Sequence, residues 1–167
     1  MSKSIDNLKT AFAGESQANR KYLAFAKKAD AEGFPQIARL FRAAAAAETV
    51  HAQNHFRAMD GVGGTAANLE AAIGGENYEV VSMYPPMLAE ADAEGDKRAS
   101  LTFKYALAVE KLHEALYRKA AEFFGKGKDL PATEYYVCPV CGNTHEGPMV
   151  GRCPVCNTPG EKFEKIA

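Results

Sequence analysis

The chain has 167 residues, of which 47% are hydrophobic and 25% are charged, a composition typical of one globular core with a small appendage. The formal net charge of −1 excludes the basic excess that is typical of nucleic-acid and anionic-membrane binding. No apolar run approaches the ~18 residues of a transmembrane helix, and the N-terminal segment lacks the apolar region of a signal peptide. We therefore expect a cytoplasmic protein with neither a nucleic-acid nor a membrane partner.

Four long helices are predicted, and they fall into two pairs. Gly33 is a suitable end for the first helix, and Pro35 is a suitable first residue for the second. Pro85-Pro86 predicts a kink or break within the third helix. A Gly-rich connection, residues 61–75, separates the pairs and contains a short helix in "AANLEAAI", which predicts a bundle with one long crossover. The predicted helices cover roughly residues 4–31, 35–60, 76–94 and 97–124.

The composition changes after the fourth helix. "GKGKDLPATE" reads as a linker, and all four cysteines lie in the short Pro- and Gly-containing segment that follows it. A segment of this size needs a metal or a disulfide to hold a core. We therefore predict a helical bundle over residues 1–125, a linker over residues 126–134 and a four-cysteine metal domain over residues 135–167.

Two of the predicted helices carry the same Glu-x-x-His pattern. Glu48 and His51 lie on the second helix, and Glu110 and His113 lie on the fourth. Residues at this spacing share one helix face, so both side chains of a pair can be aimed at one metal ion.

The partner helix of each pair adds a carboxylate at a matching offset. Glu15 precedes Glu48 by 33 residues, and Glu76 precedes Glu110 by 34. Buried carboxylates without a metal would cost several kcal/mol each. The repeated pattern therefore favours a common mid-bundle metal site over two solvated surface pairs.

The residue types fit a di-iron centre. Two irons about 3.5–4 Å apart need bridging carboxylates and terminal imidazoles. Glu48 and Glu110 are the predicted bridges because each has a His neighbour, and Glu15 and Glu76 are the predicted terminal ligands.

Glu79 lies one turn after Glu76 and is a carboxylate beyond this minimum set. An oxygen ligand favours ferric iron and an imidazole favours the softer ferrous ion. We therefore expect Glu79 and His51 to compete for one iron as the redox state changes. Tyr22, two turns from Glu15, either hydrogen-bonds near the metals or only packs.

The C-terminal segment contains two Cys-Pro-Val-Cys units separated by eleven residues, a spacing typical of a tetrahedral thiolate site. Gly142 and Asn157, which follow these units, tolerate the positive φ that turns backbone N–H groups toward sulfur. The spacing fits zinc as well as iron, but a one-electron iron is the better partner for a redox-active di-iron site. The expected ligands are Cys138, Cys141, Cys153 and Cys156.

Over essentially its whole length the chain resembles the rubrerythrin family, through "AFAGESQANRKYLAFAKKA", "AAETVHA", "GGENYEVVSMYP", "AVEKLHEAL" and both "CPVC" units. The resemblance implies a mainly α fold, a ferritin-like four-helix bundle with a long crossover, joined to a small rubredoxin-like domain. It also implies a peroxidase of oxidative-stress defence that reduces hydrogen peroxide to water. The electrons would reach the four-cysteine iron from an NAD(P)H-dependent reductase or a rubredoxin-like carrier.

The resemblance implies the same ligands as the spacing and adds Tyr84, with Tyr22, near the irons. It thus assigns catalytic roles to Glu79, His51, Tyr22 and Tyr84. The di-iron ligands implied are Glu15, Glu48, His51, Glu76, Glu79, Glu110 and His113, with the four cysteines around the mononuclear iron.

Helix length suggests an assembly. A mid-bundle site is on the order of 20 Å from the linker end of a 28-residue helix. A head-to-tail homodimer, which family members also form, would shorten the path from the cysteine module. Two other functions remain open: a ferroxidase or iron-handling protein like the ferritins, and a non-catalytic scaffold with a zinc ribbon.

Overall fold

The computed structural model describes residues 2–166, which are mainly α-helical. The chain divides into two compact units, one ending at Gly63 and the other beginning at Gly64. The helices are α1 (Lys3–Ala31), α2 (Pro35–Ala58), α3 (Thr65–Tyr78), a π-helical segment (Glu79–Met83), α4 (Tyr84–Glu94) and α5 (Lys97–Gly125). The strands are β1 (Tyr135–Val137), β2 (Thr144–Glu146) and β3 (Glu164–Lys165), with a 3-10 turn at Gly160–Lys162.

The first unit is the helical hairpin α1–α2. Ser2 caps α1 by accepting a hydrogen bond from the backbone N–H of Ile5. Gly33 adopts a φ of 82°, which reverses the chain, and Pro35 occupies the first turn of α2, where a missing N–H costs nothing. The predicted turn between the first two helices is therefore present.

Small residues and one buried amide hold the hairpin together. Asn19 Nδ2 donates to the carbonyl oxygen of Ala45 at 2.7 Å and to Thr49 Oγ1 at 2.9 Å. A buried amide left without these partners would cost about 1–3 kcal/mol. This pairing fixes the height at which Glu15 of α1 faces Glu48 of α2. The alanines that let the helices approach include Ala26, Ala29 and Ala38.

The third helix begins earlier than predicted. The sequence analysis placed its start near Glu76 after a short separate helix, but α3 starts at Thr65 and is continuous through Tyr78. "TAANLEAAI" contains mostly good helix formers, which explains why the helix extends toward Gly64. Only residues 59–64 remain outside the helices between α2 and α3.

The predicted irregularity at Pro85-Pro86 takes the form of a π-helical segment just before it. Glu79–Met83 is π-helical, and both prolines lie in the first turn of α4. A proline at this place has no backbone N–H to donate. Little is lost, because the wider π turn has already moved away the carbonyl that would accept from that N–H in a regular helix. The segment thus rotates Tyr84 relative to a regular helix that starts at Thr65.

A glycine and an aspartate that caps the N-terminus of α5 join α4 to α5. Gly95 has a φ of 71°, and Asp96 accepts hydrogen bonds from the backbone N–H groups of Arg98 and Ala99 at 3.0 Å. No helix among the described residues has both the length and the apolar character required to cross a bilayer.

The C-terminal module is a three-stranded antiparallel sheet in the order β2-β1-β3. Its small core contains Cys138, Cys153 and Phe163. Gly160 is required for packing, because a Cβ there would lie 2.2 Å from the carbonyl oxygen of Met149.

Candidate metal centres

The first unit contains a triad of possible metal ligands, Glu15, Glu48 and His51. One ligand atom from each lies within 4.8 Å of the others. His51 Nδ1 is 2.8 Å from Glu48 Oε2, the contact that the i, i+3 spacing predicts. The His51 side chain is 53% exposed, so this triad is open on the imidazole side.

The second unit contains the matching triad, Glu76, Glu110 and His113. His113 Nδ1 is 2.7 Å from Glu110 Oε2 and 4.0 Å from Glu76 Oε1. This imidazole is only 26% exposed, so the second triad is the more enclosed of the two.

Each triad has the residue types of half of a di-iron donor set. Di-iron helical bundles use one Glu from each of two helices and a Glu-x-x-His pair from each of the other two. Each unit holds one Glu and one such pair with the ligand atoms already gathered. The residues therefore fit a di-iron centre in type and in local geometry.

Carboxylates are crowded around the second triad. Burial raises the pKa of Glu76 to about 7, together with a hydrogen bond that the protonated Glu76 donates to Glu110 and the charge of Glu110. The charges of Glu79 and Glu114 add to the rise. Burial and then Glu110 also raise the pKa of Glu79, which His113 partly offsets. Glu79 is therefore close to this triad although it is not one of its three members. Such crowding is what a bound cation would relieve.

The two tyrosines differ in their surroundings. The pKa of Tyr84 is raised by burial and then by the charges of Glu79, Glu110 and Glu76, so its phenol lies close enough to these carboxylates to feel their charge. The ring of Tyr22 instead has its centroid 6.2 Å from Phe25 and 6.3 Å from Phe41. These contacts favour the packing interpretation that the sequence left open for Tyr22.

The four cysteine sulfurs converge between two equivalent turns. The Sγ atoms of Cys138 and Cys156 are 3.5 Å apart, and those of Cys141 and Cys153 are 3.6 Å apart. In each turn, the residue after the second cysteine donates its N–H to the carbonyl of the first cysteine at 2.9 Å. Those residues are Gly142, with a φ of 82°, and Asn157, with a φ of 64°, as the sequence predicts.

Backbone donors favour the thiolate form of Cys138 and Cys153, whereas burial raises the pKa of Cys141. Burial alone would raise the pKa of the Cys153 thiol, but N–H groups of Cys156 and Val155 and the Asn143 amide lower it to about 7. Backbone N–H groups likewise hold the pKa of Cys138 below its usual value against the opposing effect of burial. Thiolates are the form that binds iron or zinc, so the donor set fits a tetrahedral metal.

The cysteine module contacts α5 beside the second triad. His113 Nε2 lies 2.9 Å from Thr144 Oγ1, and that hydroxyl donates to the carbonyl oxygen of Gly142 at 3.3 Å. Lys119 of α5 also donates to Glu146 of β2 at 2.7 Å. Sequence reasoning missed Thr144, because no spacing rule shows that β2 folds back onto α5.

The family model described as "Rubrerythrin" matches residues 6–121, and the model described as "Rubrerythrin, rubredoxin-like domain" matches residues 136–164. The chain belongs to the rubrerythrin family. Among its curated relatives, Rubrerythrin-2 of Clostridium acetobutylicum is 36% identical, over 95% of this chain and 94% of the relative. Nigerythrin of Nitratidesulfovibrio vulgaris is 35% identical, over 95% of this chain and 84% of the relative.

A solved structure of nigerythrin in its fully reduced, all-ferrous state has a TM-score of 0.59 at 32% identity, covering 99% of this chain and 88% of that one. The rubrerythrin resemblance and the fold class, a ferritin-like bundle with a rubredoxin-like domain, are therefore confirmed. Membership also confirms the expected cofactors, a di-iron centre and a four-cysteine metal site, for which both donor sets are present.

This rubrerythrin is shorter than some relatives within the matched region. The alignment with the Porphyromonas gingivalis rubrerythrin, 35% identical, extends over 190 positions and covers 99% of this chain and 94% of the relative. Since this chain has 167 residues, that relative contains more than twenty residues without a counterpart here.

The crowded carboxylates predict a pH effect on the metal-free protein. Glu76 has a folded pKa of about 7 against an ordinary value of 4.5, so its protonated form favours the folded state. This stabilisation is fully present below pH 4.5 and is lost as the pH rises through 7. We expect the melting temperature of chelator-treated protein to fall by several degrees between these limits, and to fall less in Glu76→Gln.

Circular-dichroism melts at a series of pH values would measure this difference. Glu70→Gln is the matched control, because Glu70 is an exposed carboxylate on the same helix α3. Equal pH slopes for the wild type and Glu76→Gln would contradict the prediction.

Proposed function

We propose that this protein is a non-haem di-iron peroxidase that reduces hydrogen peroxide to water in oxidative-stress defence. Electrons enter through the four-cysteine iron from an NAD(P)H-dependent reductase or a rubredoxin-like carrier. The contact between His113 and Thr144 carries the proposal, because it joins the module to a di-iron triad at 2.9 Å. Cytoplasmic action is part of the proposal, since that compartment keeps cysteines reduced and able to bind a metal.

The proposed di-iron centre uses one Glu-x-x-His pair and one further Glu from each unit, together with Glu79. Glu48 and Glu110, each in close contact with a histidine of the same helix, would be the carboxylates shared between the two irons. The full set is Glu15, Glu48, His51, Glu76, Glu79, Glu110 and His113, and the mononuclear iron takes Cys138, Cys141, Cys153 and Cys156. Bound irons supply the two electrons that, with two protons, convert one peroxide into two waters.

The protein's own groups manage protons and hydrogen bonds at this centre. The raised pKa of Tyr84, from burial and then the neighbouring carboxylates, keeps its phenol protonated at neutral pH. That phenol is therefore the proposed hydrogen-bond donor to oxygen at the site. Tyr22 is retained as a second candidate on the family resemblance, although its ring contacts are with Phe25 and Phe41.

Thr144 completes a route between the two metal sites. The His113 imidazole would carry its proton on Nε2 and donate it to Thr144 Oγ1, which would leave the other ring nitrogen available to hold a metal. The hydroxyl is then free to donate to the carbonyl of Gly142, which directly follows Cys141. The whole route runs through hydrogen bonds and one short stretch of backbone.

This hydrogen-bonded route changes the argument for a homodimer that was drawn from the sequence. A head-to-tail homodimer was expected because a long path separated the module from a mid-bundle site. Since β2 lies against α5 at His113, the path to the second triad is short within one chain. A homodimer remains part of the proposal on the family resemblance.

The two alternative functions account for fewer of the observations. Ferroxidase or storage activity does not need an electron supply, whereas the cysteine module sits directly on a ligand helix. A zinc-ribbon scaffold would explain the four thiols but not two gathered carboxylate–histidine triads.

Turnover measurements test the function. We expect protein reconstituted anaerobically with iron to consume peroxide at the expense of NADH when a reductase and a rubredoxin are supplied. Cys138→Ser should lose about tenfold or more of this turnover, while peroxide still oxidises its pre-reduced bundle iron. Turnover no faster than that of free iron would defeat the proposal, and zinc at the thiolates with an empty bundle would favour the scaffold.

Glu79 should determine a redox-linked movement of iron. In wild-type crystals we expect one iron to lie nearer His51 when reduced and nearer Glu79 when oxidised, because the ferric ion prefers oxygen. Crystals of Glu79→Ala compared in both states should show no such movement. A movement of the same size in the variant would remove Glu79 from the ligand set.

Thr144 should control the internal electron transfer. We expect Thr144→Val to slow reduction of the diferric site by the reduced four-cysteine iron about tenfold, while Thr144→Ser stays near wild type. Stopped-flow absorbance of the thiolate iron measures this step in a single turnover. Thr102→Val is the matched control, since Thr102 is an exposed residue of α5. A wild-type rate in Thr144→Val would exclude this route.

A further inference from the structure

We propose that the side-chain amide of Asn143 raises the reduction potential of an iron held by the four cysteines, by donating a hydrogen bond to a sulfur of the opposite cysteine turn. The inference rests on the proposed entry of electrons at this iron and adds the residue that tunes it. Its basis is the position of one buried amide among cysteines of both turns.

Asn143 lies between the two Cys-Pro-Val-Cys turns, residues 138–141 and 153–156, and is only 2% exposed. Its side-chain Nδ2 is 3.5 Å from Cys153 Sγ, which belongs to the second turn. Its backbone N–H donates to Cys141 Sγ of the first turn. Its carbonyl oxygen accepts the N–H of Cys138 at 2.9 Å. One residue therefore contacts three of the four cysteines and links the two turns.

Thr158 occupies the equivalent position in the second turn, two residues after the last cysteine. Its carbonyl oxygen accepts the N–H of Cys153 at 2.8 Å, so the backbones of the two turns match. The Thr158 hydroxyl, however, lies 3.1 Å from Cys156 Sγ, a sulfur of its own turn. Of these two side chains, the Asn143 amide is the one that reaches the opposite turn. The contact with Cys153 thus depends on the asparagine side chain and does not follow from the turn alone.

The buried Asn143 amide needs an acceptor that carries charge. A polar group taken out of water costs free energy unless it is hydrogen-bonded, and a neutral thiol is a weak acceptor. A thiolate accepts a stronger, charge-assisted hydrogen bond. An apolar side chain would fill the same place without this cost. The amide is therefore best accommodated when the Cys153 sulfur is a metal-bound thiolate.

A hydrogen bond to this sulfur favours the reduced iron. Four thiolates leave one net negative charge with ferric iron and two with ferrous iron, so reduction increases the negative charge on the sulfurs. A nearby donor stabilises the more negative state more strongly, which raises the reduction potential. Asn143 adds to the backbone N–H groups of Cys156 and Val155, which also donate to Cys153 Sγ. The step adds one electron from the carrier and requires no proton.

The tuning has a purpose in the proposed relay. One peroxide takes two electrons, whereas a single iron in the module delivers one at a time, so the module has to be refilled between two transfers. A raised potential makes uptake from the carrier more favourable. Asn143 therefore keeps the module reduced while the di-iron site waits for its next electron.

Reduction potentials of the iron-loaded full chain test this role. We expect Asn143→Leu, which keeps a similar volume but lacks a donor, to lower the potential of the four-cysteine iron by about 59 mV, an about tenfold change in the equilibrium constant for one electron. A spectroelectrochemical titration at the thiolate-to-iron absorbance measures this shift. Should Asn143→Leu fail to bind iron, the smaller Asn143→Ala takes its place with the same expected direction.

Tyr136→Phe is the matched control, because the Tyr136 hydroxyl lies in the same module but donates to Glu134 and not to a sulfur. Its potential should equal that of the wild type. A potential of the Asn143 variant equal to or above the wild-type value, or an equal fall in Tyr136→Phe, would overturn the proposal.

NMR of the cadmium-loaded chain tests the hydrogen bond without a redox step. We expect a scalar coupling between cadmium and a side-chain amide proton of Asn143, transmitted through Cys153 Sγ, and its loss in Asn143→Leu. Absence of the coupling in the wild type would contradict the assignment. Both measurements are independent of peroxide turnover. A protein without turnover that shows the coupling and the shift would refute the peroxidase function and leave the role of Asn143 standing.

Discussion

Mutual repulsion among partly buried carboxylates is the constraint on which the second triad depends. Burial and neighbouring charge raise the pKa of Glu76 to about 7 and also raise that of Glu79. A fold selected only for stability would separate such groups, since each costs free energy when ionised. Their grouping beside Glu110 and His113 is explained if bound cations neutralise the negative charge of these carboxylates. The π-helical segment that carries Glu79 is one of the features that hold this set in place.

Much of the site can be predicted from the sequence, because the contacts that form it join residues close together in the chain. The i, i+3 spacing predicts the contacts of Glu48 with His51 and of Glu110 with His113, since helix geometry alone brings them together. The two Cys-Pro-Val-Cys turns are equally local, and their positive-φ residues appear where expected. The division of the chain at residues 125 and 135 stays a prediction.

The features that the sequence does not reveal depend on competing local preferences or on contacts between residues far apart in the chain. The start of α3 at Thr65 reflects helix propensity prevailing over the Gly-rich composition of the connection, which periodicity does not resolve. The direction of Tyr84 depends on a π-helical segment that two prolines do not predict uniquely. The contact of Thr144 with His113 joins residues 31 positions apart, and only the folded module brings them together.

The cysteine module and the second triad belong to one piece of the fold, because β2 contacts α5 through Thr144 and His113 and through Glu146 and Lys119. The His113 imidazole contacts Glu110 through one ring nitrogen and Thr144 through the other, so its orientation is fixed by the fold on both sides. The His51 side chain is 53% exposed, so the two histidines differ in how tightly the surrounding protein holds them. The more exposed imidazole is therefore the one whose position is easier to change, which is what a competition with another ligand would require.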